Sequence, residues 1–368
     1  MRLAEITPHR FRNLSPEAVP VSSGVTLIWG ENGQGKTNLL EAIAVLAGQR
    51  SFRAAAPAAM APDGESFSVS GALRRSFDVE RLSVTWSAGA SRRFRLGEKA
   101  VTYGEASRLL PAVFLAPEHR DLVEGSPASR RRFLDRLAVS IFPAAADEIS
   151  RYAKALASRN ALLARIRDRR SELPAGELTA WTEELAHSGA AVRAHRSRAH
   201  VVWNQQFKSL SEEAGPAYAA IETALSAGEG TAEALRIACE RLLPAERRRG
   251  YTLAGPHRDD LLMTRAGAPL AATASSGEVH RVAALAKLAE WHATTQAAGE
   301  PALLCIDDFD MGLSPAAAAA FWDSLPKEAT AILTTASDPA RWRSRATAVY
   351  EMRQGSAIAR EARRAVND

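Results

Sequence analysis

The chain has 368 residues, 46% of them hydrophobic, which is enough for a full α/β core and a second packed unit, so we expect two domains. No apolar run approaches the roughly 20 residues of a membrane-spanning helix and no signal peptide is visible, so we expect a cytoplasmic protein without a membrane partner. Cys239 and Cys305 suggest neither a disulfide framework nor a zinc site, while the net charge of +5 and the pI near 9.4 favour a polyanionic partner.

A glycine-rich segment lies between an apolar run, Val25–Trp29, and a helical pattern that starts after Thr37. This strand, turn and helix context is that of a P-loop, whose backbone N–H groups wrap phosphate oxygens at the positive end of the following helix. In such a loop the lysine bridges the outer phosphates of ATP and the threonine is a ligand of Mg²⁺. The residues expected to bind ATP here are Gly30, Glu31, Asn32, Gly33, Gln34, Gly35, Lys36, Thr37 and Asn38.

Short β-type runs extend from Leu3 to about Pro111. Phe67–Ser70, Leu82–Trp86 and Arg93–Leu96 are separated by turn residues, and Val113–Leu115 is another apolar run. Together they predict one half of a mixed sheet that flanks the P-loop.

Residues 119–249 have a different character, because alanine, leucine, arginine and glutamate recur there at helical spacing. Breaks at Pro174–Gly176, Gly215–Pro216 and Gly228–Gly230 divide the stretch into helical arms. At about 1.5 Å of rise per residue it is too short for the long coiled coils of chromosome-organising ATPases. We therefore expect a compact, all-helical domain at 119–249, inserted into an ATPase head formed by 1–118 and 250–368.

Positive charge is concentrated in this insert, since residues 120–170 hold twelve basic and six acidic residues. A solvated helix face and a phosphate-binding surface both fit such a cluster. Three consecutive arginines on a helix cannot share one face at 100° per residue, and ion pairs with the insert's own acids remain an alternative to DNA contact. The candidates for DNA contact are Arg130, Arg131, Arg132, Arg159 and Arg165.

Two acidic residues, Asp307 and Asp308, directly follow the apolar run that begins at Pro301. In a P-loop ATPase an acid at the C-terminal end of a buried strand holds the Mg²⁺ shell, so we expect Asp307 to share the metal with Thr37. Asp308 would orient the attacking water. Because aspartate is one methylene shorter than glutamate, we expect slow hydrolysis. Ala331–Thr335 predicts the neighbouring strand.

The segment Ser275-Ser276-Gly277-Glu278 precedes another helical pattern and is by itself a good helix N-cap. Combined with the P-loop and the paired acids, it resembles the signature motif of ABC-type ATPase heads. In that family the signature serine and glycine reach the γ-phosphate held by the other subunit of a dimer. The resemblance adds Ser275, Gly277 and Glu278 to the expected nucleotide site.

Several segments together resemble the RecF family of bacterial recombination mediators: the P-loop through Ile43, Gly48–Arg53, Pro117–Asp135, Arg159–Leu163 and Gly255–Leu261. The resemblance implies an α/β ABC-type P-loop ATPase head, a mixed sheet with flanking helices, into which an all-helical second domain is inserted. It implies an ATP-dependent homodimer that holds double-stranded or gapped DNA. It further implies a slow, DNA-stimulated ATPase that acts as a switch with RecR and RecO to help RecA load in DNA repair.

The chain departs from the family pattern at two places. Met311-Gly312-Leu313-Ser314 stands where the family has Ser-Glu-Leu-Asp, and Glu278-Val279-His280-Arg281 stands where it has Gln-Gln-Arg after the signature glycine. We expect ATP binding to survive both changes. The replacement of an acid by Ser314 leaves the rate of hydrolysis open.

Three other classes of protein share parts of the pattern. A nucleotide-gated scaffold with little hydrolysis stays open because of Ser314, and an ABC-type ATPase of another DNA-defence system would need a nuclease partner. A transporter's energising subunit also has a P-loop, signature and acidic pair. Its signature follows the P-loop much sooner than the 241 positions between Lys36 and Gly277.

Overall fold

The structure is a computed structural model that describes residues 2–51, 53, 56–75, 78–168, 176–228, 230–311 and 315–360. The chain forms two compact units. The first unit comprises Met1–His119 with Thr294–Asp368, and the second comprises Arg120–Ala293. The return to the first unit therefore comes later than the expected residue 250, because 250–293 are compact with the second unit.

Strands dominate both ends of the chain, and long helices dominate its middle. The strands are β1 (Arg2–His9), β2 (Val19–Pro20), β3 (Val25–Trp29), β4 (Ser66–Arg75), β5 (Asp78–Ser87), β6 (Arg93–Leu96), β7 (Lys99–Val101), β8 (Ala112–Leu115), β9 (Ile221–Ser226), β10 (Asp260–Arg265), β11 (Ala268–Pro269), β12 (Leu303–Ile306), β13 (Ala331–Thr335), β14 (Ala348–Arg353) and β15 (Ser356–Arg360). The helices are α1 (Lys36–Leu46), α2 (Tyr103–Leu109), α3 (Pro127–Ile141), α4 (Ala145–Arg167), α5 (Glu177–Glu213), α6 (Pro216–Ala219), α7 (Ala232–Arg249), α8 (Leu270–Thr273), α9 (Ser276–Ala298) and α10 (Pro315–Asp323).

The first unit contains, within its described residues, two sheets of six strands. One is antiparallel, in the order β2-β1-β4-β5-β6-β7, and the other has the order β15-β14-β3-β13-β12-β8. The second sheet is parallel except for the β14–β15 hairpin, so the expected α/β fold with a mixed sheet and flanking helices is confirmed. Most N-terminal strands form the separate antiparallel sheet rather than half of the mixed one, because β4 and β5 pair along their whole length.

Helix α1 lies in the core of the first unit. Leu39, Ile43 and Leu46 are at most 1% exposed and share one apolar cluster with residues of both sheets, among them Val69 of β4 and Ile332 of β13. A helix buried on all sides must be apolar around most of its circumference, as α1 is. This packing fixes the position of Lys36 and Thr37 at the start of α1.

The parallel pairing brings the ends of three strands to one edge of the sheet. β13 pairs with β3 up to Thr335 opposite Trp29, and β12 pairs with β13 up to Ile306 opposite Leu333. The residues after β3, β12 and β13 therefore emerge together at the carboxyl edge, where ligands bind in open α/β sheets.

The second unit is built around the antiparallel helices α4 and α5, with α3 and α7 packed against α5. Its core includes Tyr152, Leu185, Val192 and Leu235. Within the described part of the chain, no helix is both long enough and apolar enough to cross a membrane.

The expectation of an all-helical second domain is wrong. The second unit also contains an antiparallel sheet in the order β11-β10-β9. β9 lies inside the stretch predicted to be helical, and its partner β10 begins at Asp260. A strand is stabilised by side-chain pairs with a neighbouring strand. The neighbour of β9 is β10, which lies outside 119–249, so residues 119–249 alone do not indicate a strand there.

Candidate nucleotide site

The P-loop leaves β3 at Gly30 and enters α1 at Lys36. Gly35 precedes the helix with φ 114°, a conformation that a residue with a Cβ rarely adopts, and as the N-cap residue it has no side chain that could cap α1. The first N–H groups of a helix lack partners within the helix. In α1 they are therefore available to an anion, whose charge the helix dipole also favours.

Lys36 is folded back over this loop. Its Nζ donates hydrogen bonds to Gly30 O at 2.7 Å and to Glu31 O at 3.1 Å, and the residue is only 5% exposed. These carbonyls hold the ammonium group among the N–H groups of the loop. A bound phosphate would meet both kinds of donor at once.

Thr37 and Asp307 come together at the carboxyl edge of the parallel sheet. Thr37 Oγ1 donates to Asp307 Oδ2 at 2.7 Å, and Thr334 Oγ1 donates to Asp307 Oδ1 at 2.6 Å. Burial raises the pKa of Asp307, and the two threonine hydrogen bonds oppose that rise. Thr334 was not among the predicted site residues, although it belongs to the strand predicted next to Asp307.

Asp308 combines an unusual backbone conformation with a buried side-chain oxygen. Its backbone has φ 44°, which is uncommon for a non-glycine residue, and its N–H donates to Thr334 Oγ1 at 2.8 Å. Its Oδ1 is buried without a hydrogen-bond partner among the described residues. Burial, and next the charge of Asp307, raise the pKa of Asp308. Strain and an unsatisfied polar atom of this kind occur most often at functional sites.

The signature segment caps α9 in the second unit. Ser275 N donates to Glu278 Oε2 at 2.9 Å and Glu278 N donates to Ser275 Oγ at 3.3 Å, which is a reciprocal capping box. Arg265 Nη1 holds the same carboxylate at 3.0 Å. Ser275 and Gly277 are exposed, and a Cβ on Gly277 would have no atom within 4 Å. Among the described residues, packing therefore does not require glycine at position 277.

The four residues Lys36, Thr37, Asp307 and Asp308 lie together in the first unit, whereas Ser275, Gly277 and Glu278 form a group of their own in the second. Gly312, Leu313 and Ser314 lie outside the described residues, as do Pro174, Ala175 and Glu229 of the expected helix breaks.

The expected contact between Arg159 and DNA is wrong, because Arg159 is only 1% exposed. Its guanidinium donates to Thr182 Oγ1 at 3.0 Å, to Thr252 Oγ1 at 2.8 Å and to Glu246 Oε2 at 2.6 Å. Every part of the fork has a partner inside the second unit. Arg159 therefore holds α4, α5 and α7 together.

The three consecutive arginines of α3 differ in their environments. Arg130 makes a bidentate ion pair with Asp260, at 2.7 and 2.8 Å, and Arg131 Nη1 donates to Asp259 O at 3.0 Å. Both are thus engaged where β10 begins, whereas the expected alternative was ion pairs with acids of 119–249. Arg132 and, on α4, Arg165 are exposed.

A further exposed basic cluster lies where α4 and α7 end. Arg247, Arg248 and Arg249 form the last turn of α7 and are all exposed, and Arg167 Nη1 of α4 donates to Arg249 O at 3.4 Å. We call Arg167 with Arg247–Arg249 the α7-end cluster. The arginine run before Gly250 is visible in the sequence, but it lies outside 120–170, the segment that contains the predicted DNA contacts.

Comparisons with known proteins agree with this architecture. An AAA-domain family model matches residues 5–77. The chain is 33% identical over 379 residues to the DNA replication and repair protein RecF of Anaeromyxobacter dehalogenans (strain 2CP-C), over 96% of this chain and 98% of that protein. It is 32% identical over 350 residues to the protein of the same name from Myxococcus xanthus (strain DK1622), over 92% and 91%.

Solved structures also share the fold. The recombination mediator protein RecF-ATP in the RecFOR pathway matches with a TM-score of 0.86 at 24% identity, over 98% of this chain and 97% of that one. An Smc head bound to the C-winged helix domain of ScpA matches with a TM-score of 0.52 at 16% identity, over 98% and 97%. With relatives above 30% identity over nearly their whole length, this chain belongs to the RecF family of DNA replication and repair proteins.

Proposed function

We propose that this protein is an ATP-dependent DNA-binding switch in DNA replication and repair. The observation that carries the proposal is the 2.7 Å hydrogen bond between Thr37 Oγ1 and Asp307 Oδ2, because it joins the two expected Mg²⁺ ligands beside the P-loop. Residues 30–38 would bind ATP, with Lys36 on the outer phosphates. The solved relative with the same fold is itself described as RecF-ATP.

The residues beside the P-loop suit Mg²⁺. Mg²⁺ takes oxygen ligands and is usually held by one or two carboxylates together with substrate phosphates, which is the donor set that Asp307, Thr37 and a nucleotide would supply. When bound, the cation neutralises charge on the phosphoryl group. A cation would also offset the burial that raises the pKa of Asp307.

Asp308 would orient the attacking water and accept its proton. A raised pKa suits this role, since a general base works best with a pKa near the operating pH. The short aspartate side chain leaves more distance to the water than glutamate would. Slow turnover, as in a switch, follows from this proposal.

Dimerisation would complete the site. In the proposed closed state, Ser275 and Gly277 of one copy meet the triphosphate bound by the other. Support comes from the open space around Gly277, which leaves room for a phosphate group, and from the start of α9, a helix of 23 residues, whose dipole favours an anion there.

DNA would bind the second unit through exposed arginines. The proposed DNA contacts are the exposed arginines of the α7-end cluster, Arg132 and Arg165. Arg159, which is buried, and Arg130 and Arg131, which bind the residues where β10 begins, are no longer candidates. The family relationship supports RecR and RecO as partners and RecA as the protein that is finally loaded, at gapped or junction DNA. The solved RecF-ATP structure is that of a protein of the RecFOR pathway.

The decisive experiment compares the wild type with Lys36→Met. Size-exclusion chromatography with a non-hydrolysable ATP analogue measures dimerisation, and retention of gapped DNA with and without ATP measures the switch. We expect the wild type to dimerise and retain DNA with ATP, and Lys36→Met to do neither. ATP-stimulated retention that survives Lys36→Met overturns the proposal. Phosphate release that does not respond to gapped DNA would favour the non-hydrolysing scaffold instead.

A further inference from the structure

Two segments far from the P-loop in sequence hold the loop from outside. One is the loop after β1, around Asn13, and the other is the turn between β14 and β15, at Gln354 and Gly355. All of these residues lie in the first unit. Neither segment belongs to the phosphate-binding motif.

The β14–β15 turn contacts the middle of the P-loop. Gln354 N donates to Gln34 Oε1 at 2.7 Å, and Gly355 N donates to Gln34 O at 2.9 Å. Gly355 O in turn accepts from Ser15 N at 3.0 Å. The turn therefore links the P-loop to the loop after β1.

Asn13 contacts the P-loop on both sides of Gln34. Its Nδ2 donates to Gly33 O at 3.0 Å, and its Oδ1 accepts from Asn38 Nδ2 at 2.7 Å. One side chain thus joins the loop to the first turn of α1.

These hydrogen bonds determine which way the loop's N–H groups point. A trans peptide is planar, so its C=O and N–H point in opposite directions. Gly33 O is held by Asn13, and Gln34 O is held by Gly355. The N–H groups of the same two peptides, those of Gln34 and Gly35, must then point away from these partners. That is the arrangement a phosphate-wrapping loop needs.

Gly355 and Gly30 lie so close to neighbouring backbone segments that there is no space for a side chain at either position. A Cβ on Gly355, where φ is 83°, would lie 1.8 Å from Asn13 O and 2.9 Å from Leu14 Cα. A Cβ on Gly30 would lie 2.6 Å from Met352 O of β14. Since these neighbours are backbone atoms, a side chain at either glycine would displace a whole segment.

The β14–β15 turn is itself well anchored. β14 pairs in parallel with β3, the strand that leads into the P-loop, from Ala348 opposite Thr26 to Glu351 opposite Trp29. Glu351 is only 6% exposed and forms ion pairs with Arg353 and Arg360, which lie on the two strands of the hairpin. The turn can therefore act as a fixed support.

We propose that Asn13 and Gly355 are positioning residues for nucleotide binding: they fix the peptide planes of the P-loop so that its N–H groups are ready for a triphosphate. The inference rests on the proposed ATP-binding function. It predicts that binding depends on a glycine 321 positions after Gln34 (355 − 34) that contacts no phosphate.

Gly355→Ala and Gly89→Ala form a matched pair that tests the inference. Gly89 lies in a turn of the same unit with φ 78°, close to the 83° of Gly355, but a Cβ there has no atom within 4 Å. Both substitutions carry the same backbone strain, and only Gly355→Ala displaces Asn13. Binding of a fluorescent ATP analogue with Mg²⁺ is measured beside the thermal unfolding midpoint.

We expect Gly355→Ala to weaken binding at least about tenfold, and Gly89→Ala to change it by less than about twofold. Equal affinities of the two variants overturn the inference. If Gly355→Ala does not fold, Asn13→Ala takes its place, because it removes two hydrogen bonds without a clash. Weaker binding at an unchanged midpoint then supports positioning, and unchanged binding overturns it. A wild type that does not bind the analogue overturns the proposed function itself, and this inference with it.

Discussion

Thr37 Oγ1 donates a 2.7 Å hydrogen bond to Asp307 Oδ2, across 270 positions of the chain. The contact exists because β3 and β12 are both parallel neighbours of β13, so that the residues after them emerge at one edge. Thr334, at the end of β13, holds the other oxygen of Asp307. The geometry thus orients both the hydroxyl and the carboxylate that a divalent cation would need.

The first prediction concerns this pair. Asp307→Asn keeps the size and shape of the side chain but removes its charge and replaces one of its two acceptor oxygens by an NH2 group. We therefore expect the gain in ATP affinity on adding Mg²⁺ to fall at least about tenfold. Affinity measured in EDTA should not fall, because a negative charge near the phosphates is gone. Titration of a fluorescent ATP analogue at several Mg²⁺ concentrations checks this. Asp310→Asn is the matched control, since Asp310 accepts from Thr335 rather than from Thr37. An unaltered Mg²⁺ response in Asp307→Asn would contradict the assignment.

The second prediction separates the signature from stability. Gly277 is helical and has open space around its Cβ position, so Gly277→Ala should raise the free energy of unfolding by about 0.5–1 kcal/mol. In the proposed dimer the same methyl group would stand where the phosphate held by the partner copy approaches, so ATP-dependent dimerisation should be lost. Chemical denaturation and light scattering with an ATP analogue measure the two effects. Normal dimerisation of a stabilised variant would show that this glycine has no role in the interface.

The third prediction concerns Arg159. Removing one partner of a buried ion pair leaves an uncompensated charge, here Glu246, so Arg159→Ala should lower the free energy of unfolding by about 3–5 kcal/mol. Arg165→Ala on the same helix is exposed and should change it by no more than about 0.5 kcal/mol. Urea unfolding compares the two variants. A mild effect of Arg159→Ala, combined with weakened DNA binding, would restore Arg159 as a DNA contact.

The fourth prediction is a pH dependence of stability. Lys287 is buried beside Glu290 and Arg136, and burial, together with repulsion by Arg136, lowers its pKa from 10.5 to about 7. Between pH 7 and 10.5 the unfolded chain therefore binds more protons at this lysine than the folded chain does, so its contribution to stability rises with pH.

Lys287→Met tests this directly. The substitution leaves Glu290 paired with Arg136 and removes the titrating group. The variant should therefore have a larger free energy of unfolding than the wild type at pH 7, and this difference should become smaller by pH 10. Unfolding free energies at several pH values give the difference curve. A constant difference across that range would mean that Lys287 does not titrate there.

The fifth prediction tests the α7-end cluster. The α7-end cluster has four positively charged arginines. The C-termini of α4 and α7 contribute about half a negative charge each, and Asp168, which is paired with Arg167, contributes one more, so the cluster stays positive. If each of Arg247, Arg248 and Arg249 contacts a phosphate, changing all three to glutamine should reduce the slope of log affinity against log salt by about 2–3. Gapped-DNA binding at several salt concentrations measures the slope. Changing the exposed Arg74, Arg75 and Arg108 of the first unit to glutamine removes equal charge and should leave the slope nearly unchanged. Equal slopes in both variants would place DNA elsewhere.

Elements whose chemistry is local could be predicted from the amino-acid sequence alone. The P-loop, the strand before it, the acids after β12 and the cap of α9 each depend on residues within about ten positions, through glycine conformation, apolar runs and capping side chains. These features were predictable because turn geometry and helix ends are set by neighbouring residues.

The remaining features depend on contacts between distant parts of the folded chain. The pairing of β9 with β10, the burial of Arg159 against Glu246 and the hold of Asn13 and Gly355 on the P-loop each join residues 20 or more positions apart. An arginine that is buried in an ion pair and an exposed arginine that could bind a phosphate have the same side chain. What distinguishes them is the acid or the solvent that folding brings beside them, and this depends on packing across the whole unit.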